Sequence, residues 1–264
     1  MSGGLVVLVT GAGGGIGRVL AARLLADGHR VVATDLAVPA LPGPPERLLT
    51  LALDVRDAAA WRAALEQAEA RWGAVDVLMN VAGYLRPGRV WDVTPEDVER
   101  HLDVNARGVM LGTRTVGAAM RARAAGHIVN VCSLAGLAPI PGLALYSASK
   151  YAVRAFSLAA AQELRPAGVA VTVVCPDAVQ TPMLDLQRDY AEAALTFSGP
   201  RVLTAEEVVD ELTGPVLARR PLEVWLPRSR GWMARAADLF PGLGLLLRGA
   251  LERRGLARQR GGRG

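Results

Sequence analysis

Lysine is almost missing from this sequence: among 30 cationic side chains only Lys150 is a lysine, and the rest are arginines. Cysteine is nearly as scarce, with Cys132 and Cys175 lying in the apolar runs HIVNVCS and VAVTVVCP. Two thiols are too few for a disulfide framework or a zinc site, so both are expected to be reduced and buried, with no metal site. No uninterrupted apolar run reaches the roughly 18 residues that a membrane span needs. The opening MSGGLVVLVTGAG is apolar for too short a distance, and too soon broken by glycine, for a signal peptide, so a cytoplasmic location is expected. There is no internal repeat.

A basic body is also missing. The formal net charge of +5 hints at a nucleic-acid partner, but residues 228–264 hold nine arginines against Asp238 and Glu252. That stretch is more basic than the whole chain, so the remainder is close to neutral and nucleic acid is not an expected partner.

What is present is ample apolar material: 51% of 264 residues are hydrophobic, enough for one domain with a large core. That domain is expected over 1–227, with a basic, apolar C-terminal extension over 228–264. Short β-branched runs read as strands at 5–10, 30–35, 48–55, 75–83, 127–133, 169–176 and 223–227. Between them, 17–28, 58–73, 94–126 and 145–164 read as helices, the third capped by Thr94 with Pro95 at its first position. The Pro-rich piece 38–47 predicts a loop. Strands alternating with helices predict an α/β fold: a doubly wound, mainly parallel, seven-stranded sheet with helices on both faces, the Rossmann architecture.

The loop TGAGGGIGR (10–18) falls between the first strand and the first helix. Gly11, Gly15 and Gly17 form TGxxxGxG, with Gly13 and Ile16 inside it. Glycines there let the backbone turn tightly and approach a pyrophosphate, whose charge sits at the helix N-terminus. Asp35 ends the second strand, where a carboxylate accepts hydrogen bonds from adenosine ribose hydroxyls and repels a 2′-phosphate. No basic residue lies between Thr10 and Gly17, although Arg18 follows. The expected cofactor is NAD, in preference to NADP.

Further motifs follow in order: LDV (53–55), NVAG (80–83), HLDVNARG (101–108), VNVCSLAG (129–136), YSASK (146–150) and CPDAVQTPM (175–183). With TGAGGGIG (10–17) they make the chain resemble the short-chain dehydrogenase/reductase family, in its compact single-domain branch, over roughly residues 5–227. The chemistry supports the resemblance. Reducing a ketone by hydride leaves an alkoxide that needs a proton, and oxidising the alcohol needs a base. The hydroxyl of Tyr146 suits both, but its ordinary pKa of about 10 is too high for a base near neutral pH. A nearby cation lowers it, and Lys150, four residues on, shares its helix face. An ammonium is compact and aims its donors freely, whereas a guanidinium is a broad planar fork. That difference gives the lone lysine a reason.

The resemblance implies further roles. Lys150 would also bond the nicotinamide ribose, Ser133 would orient the substrate oxygen, and Asn105 would bend its helix and hold a water linking the lysine to solvent. Asp54 and Val55 would border the adenine. Asn80, Ala82 and Gly83 would support the sheet centre and let the cofactor pass closely. Pro176, Asp177, Val179 and Thr181 would surround the nicotinamide. Asp177 departs from the family, which usually has glycine there, and its carboxylate would favour NAD⁺ over NADH. A homodimer or homotetramer would pair helices 97–124 and 145–164.

Leu134, Leu137, Pro139, Ile140, Leu143, Met183, Leu184, Leu186 and Phe197 are the expected apolar lining of a substrate pocket, with Tyr84 and Arg86 at its mouth. The expected function is oxidation or reduction of a lipophilic secondary alcohol or ketone with Tyr146 as general acid/base. An NADPH-dependent reductase of acyl-carrier-protein thioesters and a non-catalytic NAD-binding redox sensor are the alternatives. Asp35 argues against the first, and Tyr146 with Lys150 against the second. Two readings stay open for the tail: its apolar residues fold over the pocket or onto a neighbouring subunit, or they make peripheral contact with an anionic membrane.

Overall fold

The computed structural model describes residues 4–261. The end of the arginine-rich tail, 262–264, and the side chains of Leu243 and Leu247 lie outside the described residues. Seven strands, β1 (Val6–Thr10), β2 (Arg30–Asp35), β3 (Leu48–Ala52), β4 (Val77–Asn80), β5 (Gly126–Val131), β6 (Val169–Pro176) and β7 (Glu223–Leu226), form one sheet in the order β3-β2-β1-β4-β5-β6-β7. Every neighbouring pair is parallel. The central strands are buried along their whole length, which explains continuous apolar runs such as VVLVT where a one-faced sheet would alternate.

Helices cover both faces. They are α1 (Gly15–Ala26), α2 (Ala58–Trp72), α3 (Pro95–His101), α4 (Gly108–Ala122), α5 (Ala144–Leu164), α6 (Pro182–Asp185), α7 (Ala205–Glu211), α8 (Leu217–Arg219), α9 (Arg228–Leu239) and α10 (Pro241–Gly261). One core packs Leu20 and Leu24 of α1 with Val208, Val209 and Leu212 against Val7, Val9 and Met79. The other packs Trp61 of α2 and Val116 and Met120 of α4 against Leu8, Leu78 and Ile128. The order reverses between β1 and β4, so a crevice opens outside their carboxyl ends, where such sheets hold ligands.

The expected helix over 94–126 departs from one regular helix. Thr94 and Asp97 form a reciprocal capping box, Thr94 Oγ1 accepting from Asp97 N at 3.2 Å and Asp97 Oδ2 from Thr94 N at 3.1 Å. A π-helical turn, Leu102–Arg107, then separates α3 from α4, and Gly126 already opens β5. The tail is two helices, Pro241 occupying the first position of α10. Gly255 seats α10 on the segment Ala191–Ser198: a Cβ there would lie 1.9 Å from the Ala194 carbonyl oxygen. Buried Gln259 donates to the carbonyls of Gln187 at 2.9 Å and Tyr190 at 2.8 Å.

Candidate functional site

The glycine loop is shaped by backbone contacts that leave no room for side chains. A Cβ on Gly17 would stand 2.1 Å from the Gly11 carbonyl oxygen, and one on Gly11, where φ is +70°, 2.8 Å from Ala82 Cα. The buried hydroxyl of Thr10 accepts from the backbone N–H groups of Val81 (3.0 Å) and Ala82 (3.1 Å), tying this loop to the end of β4. Gly14 caps α1 without a side chain, so the first amides of a twelve-residue helix face the crevice. Asp35 is fixed at the end of β2: Gly13 N donates to Oδ2 at 2.8 Å and Leu36 N to Oδ1 at 2.7 Å.

From this loop a cavity of about 1440 Å³ runs along the carboxyl edge of the sheet to the C-terminal helices. Gly11, Gly15, Ile16, Gly17, Asp35, Asp54, Val55, Ala82, Gly83, Ser133, Tyr146, Lys150, Pro176, Asp177, Val179 and Thr181 all line it. Thr181 faces the loop, since a Cβ on Gly15 would lie 3.4 Å from its methyl group. Three expected site residues do not line it. Gly13 acts only by holding Asp35. Asn80 spends its amide on Asn130 (2.9 Å), which donates to Ser157 (2.9 Å), a buried polar ladder inside the fold. Asn105 stands behind the wall, its Oδ1 accepting from Tyr84 N at 2.7 Å and its Nδ2 donating to Tyr84 O at 2.8 Å and Ser149 Oγ at 2.9 Å.

Tyr146 and Lys150 share one face of α5, with the ammonium 5.6 Å from the phenol ring centre. Lys150 is buried and donates to the Val131 carbonyl at 3.0 Å. Gly83 lies beside the ammonium: a Cβ there would be 3.9 Å from Nζ and 3.4 Å from Asn105 Oδ1, ordinary contact distances. Ser133, just beyond β5, accepts from Ala135 N at 3.1 Å, and its hydrogen bonding with Tyr146 acts to lower the pKa of the phenol. Burial wins, however. It pushes Tyr146 above the ordinary tyrosine value and Lys150 below the ordinary lysine value. The lowering of Tyr146 expected from the lysine does not appear: burial, the largest influence, raises it.

Asp177 corrects a second expectation. Its carboxylate does not stand free beside the cavity: Arg230, in the first turn of α9, donates from Nε to Oδ2 at 2.8 Å. An ion pair removes the net negative charge that would favour NAD⁺. Of the expected pocket lining, Leu134, Pro139, Ile140, Leu143, Met183, Leu184 and Tyr84 face the cavity. Leu137 is in the core instead, Leu186 is exposed, Phe197 is buried under Arg188, and Arg86 pairs with Asp97 at 3.0 Å. The sequence reading missed Arg56, which lines the cavity but is paired at 2.7 Å with Asp54 and holds that carboxyl below the usual range. The tail folds over the pocket, as the first of its two readings expects: Met233, Ala234, Ala237, Leu245, Arg248 and Leu251 supply a cavity wall.

The family model described as short chain dehydrogenase matches residues 5–191. The chain is similar to a 3-alpha-(or 20-beta)-hydroxysteroid dehydrogenase of Mycobacterium bovis, at 37% identity over 213 residues, covering 78% of this chain and 81% of that protein. It is similar to a cyclopentanol dehydrogenase of Comamonas sp., at 37% identity over 205 residues, covering 75% and 82%. Among solved structures it resembles a short chain dehydrogenase from Mycobacterium paratuberculosis bound to NAD, with a TM-score of 0.72 and 26% identity, covering 84% of this chain and 95% of that one.

Proposed function

The chain belongs to the short-chain dehydrogenase/reductase family, and from that membership we propose that it is an NAD-dependent oxidoreductase interconverting a lipophilic secondary alcohol and its ketone. One observation carries the reading. The hydroxyls of Tyr146 and Ser133 and the buried ammonium of Lys150 meet in the same cavity that the glycine loop and Asp35 open onto. The loop fits a dinucleotide: side chains are excluded where a pyrophosphate must approach, and helix amides face that place. Gly11, Gly15, Ile16 and Gly17 would hold the pyrophosphate, Asp35 the adenosine ribose, Asp54 and Val55 the adenine edge, and Val179 and Thr181 the nicotinamide end.

When bound, the nicotinamide supplies or accepts the hydride. The protein's own part is proton transfer and alignment. Tyr146 gives its proton to the carbonyl oxygen during reduction and takes it back from the alcohol during oxidation. Lys150 stabilises the phenolate with a charge held in place by the Val131 carbonyl. Ser133 orients the substrate oxygen. Asn105 positions these groups from behind by fixing the Tyr84 backbone and Ser149. The apolar walls from Leu134, Ile140, Leu143, Met183 and Leu184 favour a lipophilic substrate, in keeping with the hydroxysteroid dehydrogenase among its relatives.

The test is a turnover screen. Steroid, cyclic and long-chain secondary alcohols are offered with NAD⁺ and with NADP⁺, following absorbance of the reduced cofactor. The reading expects turnover of at least one lipophilic class and better use of NAD⁺. Cofactor binding without turnover of any alcohol or ketone would instead make the chain a sensor.

A further inference from the structure

Much of the chain's exposed apolar surface lies on the two C-terminal helices. In α9, Trp232, Met233, Ala236, Leu239 and Phe240 are exposed and follow one another at helical spacing along a single stripe. The opposite side of α9 is committed to the body. Gly231 lies flush on the Trp225 ring, Arg230 binds Asp177, and Asp238 Oδ1 accepts from the Tyr151 hydroxyl at 3.0 Å. The stripe is exposed on its outer side, with Trp232 edge-on to the Trp225 ring at 5.1 Å and Met233 and Ala236 at the cavity. α10 adds Leu245 and Leu246, which are 73% and 82% exposed. Met233 and Leu245 also line the cavity, so the outer apolar surface continues into its mouth.

Charge surrounds this surface with one sign. Arg228, Arg253, Arg254 and Arg258 are exposed and make no ion pair among the described residues. The carboxylates of the segment, Asp238 and Glu252, are both taken, by Arg235 at 2.9 Å and Arg248 at 3.8 Å. Among the described residues no helix is long and apolar enough to cross a membrane.

We propose that α9 and α10 seat on an anionic lipid surface, with the mouth of the cavity opening toward the acyl layer. Trp232, Phe240 and the leucines enter the interface, where an aromatic ring and aliphatic side chains lose water, and the arginines meet lipid phosphates. A second copy is the poorer occupant. Pairing this face with itself about a two-fold axis would set one cationic rim against another, with the carboxylates of the segment, Asp238 and Glu252, already paired. A lipophilic substrate would then pass from the lipid to the cavity without crossing water. That last step rests on the substrate class proposed above, but the docking does not.

The experiment is co-sedimentation of the full chain with extruded phosphatidylglycerol–phosphatidylcholine vesicles, against pure phosphatidylcholine vesicles. The anionic pellet should hold roughly tenfold more protein, and less as salt is raised. A triple variant, Leu239→Ser with Phe240→Ser and Leu246→Ser, changes no cavity-lining residue. It should unfold at the wild-type temperature and lose about tenfold or more in vesicle affinity. Failure of the wild type to sediment, or equal sedimentation of the variant, overturns the proposal. So does a variant that keeps its vesicle affinity but loses an oligomer in size-exclusion chromatography, which assigns the face to a second copy. Vesicle binding is read without substrate, so the result is separate from success or failure of the turnover screen.

Discussion

Asp177 and Arg230, 53 positions apart, form an ion pair that fastens the first turn of α9 to the end of β6. Both side chains are largely buried, at 14% and 19% exposure, so loss of either leaves a charge poorly solvated. Asp177→Asn or Arg230→Gln should cost about 2 kcal/mol. More specifically, KM for a lipophilic substrate should rise about tenfold while kcat stays within about threefold, because the pair positions a wall and does no chemistry. The exchanged pair, Asp177→Arg with Arg230→Asp, should recover part of the loss. A change confined to NAD⁺ affinity in steady-state kinetics would show that Asp177 serves the cofactor instead.

Tyr146→Phe should lower turnover by about 10²–10⁴-fold, with NADH binding by fluorescence nearly unchanged. Lys150→Arg keeps the charge but must fit a larger planar fork into the buried place where Nζ donates to the Val131 carbonyl, so it too should lose most activity. Burial raises Tyr146, and the base form is the phenolate. Alcohol oxidation should therefore keep rising with pH through the alkaline range, while ketone reduction, which uses the phenol, should hold level until pH reaches the raised value. Near wild-type rates for Lys150→Arg would end the argument from ammonium shape.

Asp35→Ala should narrow the NAD preference by about tenfold, since it removes both a ribose acceptor and the repulsion of a 2′-phosphate. The nearby cation Arg56 is already paired with Asp54, so it offers no free charge to a phosphate in wild type. The ratio of kcat/KM for NAD⁺ and NADP⁺ is the readout, and a wild type that prefers NADP⁺ contradicts the reading of Asp35.

His127 makes acid stability testable. Its Nε2 lies 2.9 Å from Thr172 Oγ1, whose own proton goes to the Pro221 carbonyl, so Nε2 carries the hydrogen. Buried Nδ1 has no partner among the described residues, and a proton there would be stranded. Burial lowers the folded pKa from 6.5 to about 4. Between those values the unfolded chain binds a proton that the folded chain refuses. Stability is thus full above pH 6.5 and declines as pH falls toward 4, by about 3 kcal/mol for this group. Urea unfolding at neutral and acid pH should show the loss, and His127→Gln should flatten the dependence. An unchanged slope would mean that other groups dominate.

Some of this molecule could be read before its structure. The strand over 169–176 was delimited by β-branched residues and the proline that ends it, and the structure has it at the same residues. The i, i+4 spacing puts Tyr146 and Lys150 on one helix face, because short-range periodicity fixes side-chain direction on a helix, whereas Ser133 is assigned through the family resemblance. What stayed hidden depends on contacts distant in sequence. Nothing local marks Arg230 as the partner of Asp177. Nothing in the apolar character of Leu137 or Phe197 separates core from cavity lining. The tail's packing choice depended on a seat for Gly255 at Ala194, which no periodicity announces.

The π-helical turn at Leu102–Arg107 has a consequence for insertions and deletions. A π turn carries one residue more than an α turn, so α3 and α4 follow each other out of phase by about 100°. α3 keeps its own phase through His101, whose Nε2 accepts from Arg86 N at 3.2 Å, while α4 keeps another through Gly112, flush on Trp61. Deleting any one residue from 102 to 107 would let the segment wind as one straight helix. α3 and α4 would keep their relative rotation, and with it the contacts of His101 and Gly112, but Asn105 would lose its aim at Tyr84 and Ser149. The extra residue thus serves the placement of Asn105 and not the packing of α3 and α4, which a shortened, more regular helix would preserve.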